Sequence, residues 1–81
     1  MIGFKERRAR QKIFTRRLRE AMVKANMPQG VLAKKSGITP LTISFYIHAK
    51  SVPRQDAYVE KLADVLGVTP EWLFAEGEEL Q

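Results

Sequence analysis

Residues 29–48 read QGVLAKKSGITPLTISFYIH, and this stretch decides the fold. It holds two short helical patterns broken at Gly37. Leu32, Ala33 and Ser36 mark the inward stripe of the first pattern. Ile43, Tyr46 and Ile47 mark that of the second, at i, i+3, i+4 spacing. Between them, Ser36-Gly37-Ile38-Thr39 supplies a stop, a turn and a new cap. Glycine tolerates the left-handed conformation that ends a helix. Thr39 offers a hydroxyl to the next helix, and Pro40 suits its first position. Two helices joined this tightly cannot lie antiparallel, so they cross steeply.

A steep two-helix crossing of this kind is the helix-turn-helix arrangement, whose second helix can enter the major groove of DNA. The charge pattern suits the same partner. The formal net charge is +5 over 81 residues. Nine of the basic side chains fall within residues 1–24: Lys5, Arg7, Arg8, Arg10, Lys12, Arg16, Arg17, Arg19 and Lys24. Only Glu6 and Glu20 oppose them there. Residues 25–54 hold Lys34, Lys35, Lys50 and Arg54 and no acid, while residues 55–81 hold seven acids and Lys61. The basic part can therefore face a polyanion while the acidic end points away. Lys and Arg that neutralise phosphates release counterions and supply most sequence-independent affinity. A bland alternative is that these charges only solvate helix faces.

The length fits one domain with a small core. The chain has no cysteine, hence no disulfide and no thiolate metal site, which fits a reducing compartment. The charged N-terminus lacks the apolar stretch of a signal peptide, and no window reaches membrane-spanning length. A cytoplasmic location is expected.

The remaining residues arrange themselves around the central stretch. Residues 1–13 read as a basic arm, 14–75 as the folded domain and 76–81 as an acidic tail. Gly3 and the dense like charge argue against order in the arm. A first helix is expected from about Thr15 to Ala25, burying Leu18, Ala21, Met22 and Ala25. The second and third occupy about 29–36 and 40–48. A fourth spans about 55–66 and buries Val59, Leu62, Ala63 and Leu66, with Gly67 as its cap. Thr69-Pro70-Glu71 then opens a short fifth helix carrying Trp72, Leu73 and Phe74. Trp72 reads as core, and Leu73 or Phe74 as a candidate dimer contact. Nothing alternates with period two, so the fold class is all-α.

Five helices with the crossing pair at the second and third, closing on GVTPEWL, resemble the phage repressor type, the Cro/cI or XRE-like family. The resemblance covers about Thr15 to Phe74 and implies a lambda-repressor-like DNA-binding domain. Gln29 matches a residue that contacts phosphate and supports base reading. Thr39, Pro40, Leu41 and Thr42 fall on the groove-entering first turn. Ser44, Phe45 and His48 continue its outward face. Lys50 and Arg54 fall in the loop that often holds a phosphate, and Arg17 matches a common first-helix arginine. Arg7, Arg8 and Arg10 would act as an arm along the minor groove.

The departures from the family pattern are informative. Pro28 stands at the usual Ser or Asn cap, and Ala49 at the usual glycine. Met22 and Ile47 replace a partly buried ion pair, which spares the desolvation of two charges. The outward face also lacks the Arg, Gln or Asn side chains that read guanine or adenine in two-bond fashion. Leu41 and Phe45 instead suit thymine methyl groups, so reading should lean on methyl contact, DNA shape and the arm.

The implied function is a sequence-specific transcriptional regulator, a repressor acting as a homodimer on a pseudo-palindromic operator in double-stranded DNA. A rival reading is a protein-interaction module such as an antitoxin, docking through Leu41, Phe45 and Phe74. A third is a membrane-surface protein using Phe4, Ile13 and Phe14 with the arm's cations. No cofactor, metal or small-molecule ligand is expected, since His48 is a lone histidine, and no nucleophile–base pair marks an enzyme.

Overall fold

The computed structural model describes residues 4–53 and 56–75, with side chains from residue 8 onward. The chain forms five helices: α1 (Phe4–Lys24), α2 (Gln29–Ser36), α3 (Pro40–Ile47), α4 (Asp56–Leu66) and α5 (Pro70–Leu73). Among the described residues there is no strand, and the fold is the expected all-α, lambda-repressor-like arrangement.

The first helix differs from expectation. It starts at Phe4 rather than near Thr15, so residues 4–13 continue the domain's own helix. The physical reason lies at Phe14, which is fully buried. Its ring meets Tyr46 edge-on at 5.7 Å and stacks on Phe74 at 5.1 Å. Anchoring at Phe14 fixes α1 a turn earlier than the aliphatic pattern implies. Gln11 then ties the next turn down by donating Nε2–H to the Ala49 carbonyl at 2.5 Å. These contacts offset the repulsion of the basic stretch. They also remove Phe14 from any membrane-facing surface.

The core joins all five helices. Leu18, Leu32, Ile43, Leu62 and Leu73 are fully buried with Phe14, and Ala21, Ile38, Tyr46, Val59 and Leu66 close the gaps. Every expected inward residue of α4 is buried. Ala25, in contrast, is exposed beyond the end of α1. Leu73 is fully buried and Phe74 stacks on Phe14, so Leu73 offers no dimer contact. Thr15 donates its hydroxyl to the Tyr46 carbonyl at 2.7 Å, pinning α3 to α1 inside the core. Burial, and secondarily the neighbouring Tyr58, pushes the Tyr46 phenol above its ordinary value of 10.0. The ring thus stays neutral and serves packing.

Helix ends reuse one device. The Gly37 N–H returns to the Ala33 carbonyl, and Gly37 has φ 76°. Asn26, Ala49 and Gly67 likewise adopt positive φ, each followed by a residue whose N–H reaches back five positions. Ala49 is the strained member, at φ 58°, because a Cβ disfavours this region by about 1–2 kcal/mol. Ala49→Gly is therefore expected to raise stability by about 0.5–1 kcal/mol, after the larger chain entropy of glycine is subtracted. Thermal unfolding should show a melting temperature higher by roughly 3–6 °C. A drop would mean that the left-handed geometry at this turn carries no strain.

Candidate nucleic-acid interface

The outward face of α3 is built from both of its ends. At the start, the Thr39 hydroxyl accepts from the Thr42 N–H at 3.4 Å and donates to the Thr42 hydroxyl at 2.9 Å. This caps the helix as the Thr-Pro pair implied. Gln29, at the first position of α2, donates Nε2–H to the Pro40 carbonyl at 3.0 Å. One side chain thus latches the starts of both helices together. Pro28 caps α2 only through its extended backbone, φ −66° and ψ 163°, with no side-chain bond.

Along the helix, Leu41 is 64% exposed and Phe45 42% exposed, one turn apart. Ser44 and Thr42 are half-buried beside them, and Pro40 and His48 are exposed. His48 Nδ1 lies 2.8 Å from the Ser44 carbonyl, so Nδ1–H donates there and Nε2 is left for an outside partner. Lys50 is exposed in the loop that follows. The structure thus places Gln29, Thr39, Pro40, Leu41, Thr42, Ser44, Phe45, His48 and Lys50 on α3 or directly beside its two ends. Arg54 and the side chain of Arg7 lie outside the described residues.

Two expected contacts change character. Arg17 is only 3% exposed. Its guanidinium lies 4.8 Å from the Trp72 ring centre, its Nε–H donates to the Ala75 carbonyl at 3.3 Å, and Glu20 is 3.5 Å away. This arginine clamps α5 to α1 from the interior, so it is not a surface phosphate ligand. Arg10 similarly lies over Phe74, at 4.1 Å from the ring centre. Arg10 stays exposed while Arg17 is buried, and charge counting shows neither ring contact. Their spacing of seven residues places both on one face, and Trp72 and Phe74 lie two apart, which is the available sequence signal.

Arg17→Ala should accordingly cost about 1–2 kcal/mol through lost stacking and packing. Arg17→Lys should not restore it, because a point ammonium lacks the planar fork. Calorimetry checks the loss. An unchanged melting temperature with weakened DNA binding would return Arg17 to the phosphate contacts.

The helical form of residues 4–13 also bears on the arm. An α-helix with side chains is about 10–12 Å across. A minor groove is about 6 Å wide, so this segment as a helix cannot lie within it.

Met22 and Ile47 are both half-buried and line one shallow cleft with Met27 and Pro28. An apolar pair thus occupies the place of an ion pair without burying charge. Among the described residues, no group of His, Cys, Asp and Glu is placed to hold a metal ion.

Comparison with known proteins agrees with this geometry. The helix-turn-helix family matches residues 18–73. The chain belongs to this family, of the phage-repressor, Cro/cI type. It is also 39% identical over 77 residues to the 26 kDa repressor protein of Escherichia phage HK022, covering 90% of this chain. The chain spans 31% of that relative's length. No solved structure matches. The matched residues 18–73 include the Gln29 latch, the Gly37 turn and both Thr-Pro caps. No helix among the described residues is long and apolar enough to cross a membrane.

Proposed function

We propose that this domain is a sequence-specific transcriptional regulator of the repressor type, which binds a pseudo-palindromic operator as a homodimer. The observation that carries the reading is the outer face of α3, held rigid by the Gln29 latch and the Thr39 cap while Leu41, Phe45, Ser44 and His48 stand outward. Residues 25–54 hold four cations and no acid, and Lys50 is exposed in the loop after α3. Phosphate contacts from Gln29 and Lys50 position the domain, and α3 specifies sequence. One short helix reads few base pairs, so two copies on two half-sites supply the specificity of an operator. Repression then follows from occupying promoter DNA.

The exposure of Leu41 and Phe45 favours a second reading, a protein-docking surface of the antitoxin kind. Salt separates the two, since phosphate binding weakens steeply with salt and apolar docking does not.

Selection from random duplex DNA near physiological salt tests the proposal. The expected result is a two-half-site palindrome, bound with a steep negative dependence on salt. Failure to enrich any motif would overturn sequence-specific reading by this domain.

A further inference from the structure

Five of the basic residues of α1 fall into two groups by position around the helix; Arg16 and Lys24, also exposed, belong to neither. Arg10 and Arg17 lie over the rings of Phe74 and Trp72, on the side that packs against α5. Arg8, Lys12 and Arg19 are exposed on another flank. At about 100° per residue, these three positions fall within about 40° of one another around the helix.

Two contacts locate that flank. Gln11, beside Lys12, is bonded to the Ala49 carbonyl, in the loop that carries Lys50. Arg19 lines the same cleft as Pro28 and Ile47, next to the start of α2 and Gln29. The flank therefore runs from the segment after α3 to the start of α2, and these two segments bracket the recognition helix. Glu20, the acid of α1 whose side chain is described, pairs with Arg17 and Lys24, off this flank.

We propose that the Arg8–Lys12–Arg19 flank of α1 is a rigid phosphate-binding ridge, along which the duplex backbone bordering the major groove passes. The proposal rests on the DNA-binding reading above. From residue 8 to residue 19 the ridge spans about 16 Å of helix axis. One DNA strand presents a phosphate about every 3.4 Å of duplex axis, so several phosphates lie within reach of three long side chains. Helical order matters here, because side chains on a fixed rod lose less freedom on binding than those of a free arm.

The test compares three proteins on the selected operator duplex across 50–200 mM salt: the parent, Lys12→Gln/Arg19→Gln, and Lys34→Gln/Lys35→Gln. The last removes equal charge from the exposed end of α2. The ridge variant loses two cations per subunit and four per bound dimer, so it should lower the magnitude of the salt slope by about 3–4, and its disadvantage shrinks roughly a hundredfold across that range. Its melting temperature and its ratio of operator to scrambled-duplex affinity should match the parent. The α2 variant should leave the slope nearly unchanged. An unaltered slope for the ridge variant, or an equal change in both variants, overturns the ridge while DNA binding stands. A parent with no salt-dependent duplex binding overturns the DNA reading itself and the ridge with it.

Discussion

Replacing Leu41 and Phe45 together by alanine is expected to weaken binding by about 2.3 kcal/mol, roughly fiftyfold, at each half-site of the operator, with no loss of stability. Both side chains project from the outer face of α3, 64% and 42% exposed, and neither closes the core. Alanine is also the better helix former at both sites. The cost in binding comes from apolar contact. The major-groove edge of thymine carries a C5-methyl group, the one apolar feature among the base edges. Burying two large side chains against such methyls removes on the order of 100 Å² of apolar surface from water, worth about 2.5 kcal/mol at 25 cal/mol per Å². Deoxyuridine provides a second route to the same contact. Substituting it for thymidine at the contacted positions should lower the parent's affinity several-fold and leave the double variant indifferent. Fluorescence anisotropy on the four combinations gives the coupling directly. Additive losses would mean that the apolar pair and the methyl groups do not touch.

Much of this interface was legible because short-range chemistry sets it. The Thr-Pro pairs at 39–40 and 69–70 announce two caps, and both hydroxyls accept the expected N–H. Gly37 and Gly67 announce two left-handed stops. The stripe Val59, Leu62, Ala63 and Leu66 repeats at helical spacing and is buried throughout. What sequence concealed was long-range. Phe14 sits among basic residues, and its burial depends on Tyr46 and Phe74, 32 and 60 residues away. Once Phe14 is anchored, α1 extends to Phe4 and the arm becomes a rod. Arg10 and Arg17 were indistinguishable from their basic neighbours until α5 supplied rings beneath them, and of the two only Arg17 is buried. Composition counts charges, whereas the fold decides which of them meet water.

Ile43→Ala should have the opposite profile to the Leu41 and Phe45 changes, although it lies on the same two turns of helix. Ile43 is fully buried. It belongs to the buried cluster that also holds Phe14, Leu18, Leu32 and Tyr46. Removing its outer carbons leaves a cavity that close-packed neighbours cannot collapse, at a cost of about 3 kcal/mol. A domain of this size holds about 4–12 kcal/mol in all, so the loss is a large share. The melting temperature is expected to fall by roughly 12–24 °C, as followed by circular dichroism. Operator affinity, measured well below that midpoint, should change far less than in the Leu41/Phe45 variant, because the outer face stays intact. Saturating operator should also restore part of the lost thermal stability, since DNA binds the folded state. A shift under about 5 °C would mean that Ile43 is not a core residue. The inward stripe of α3 would then need to be rotated, and Leu41 and Phe45 would lose their place on the outer face with it.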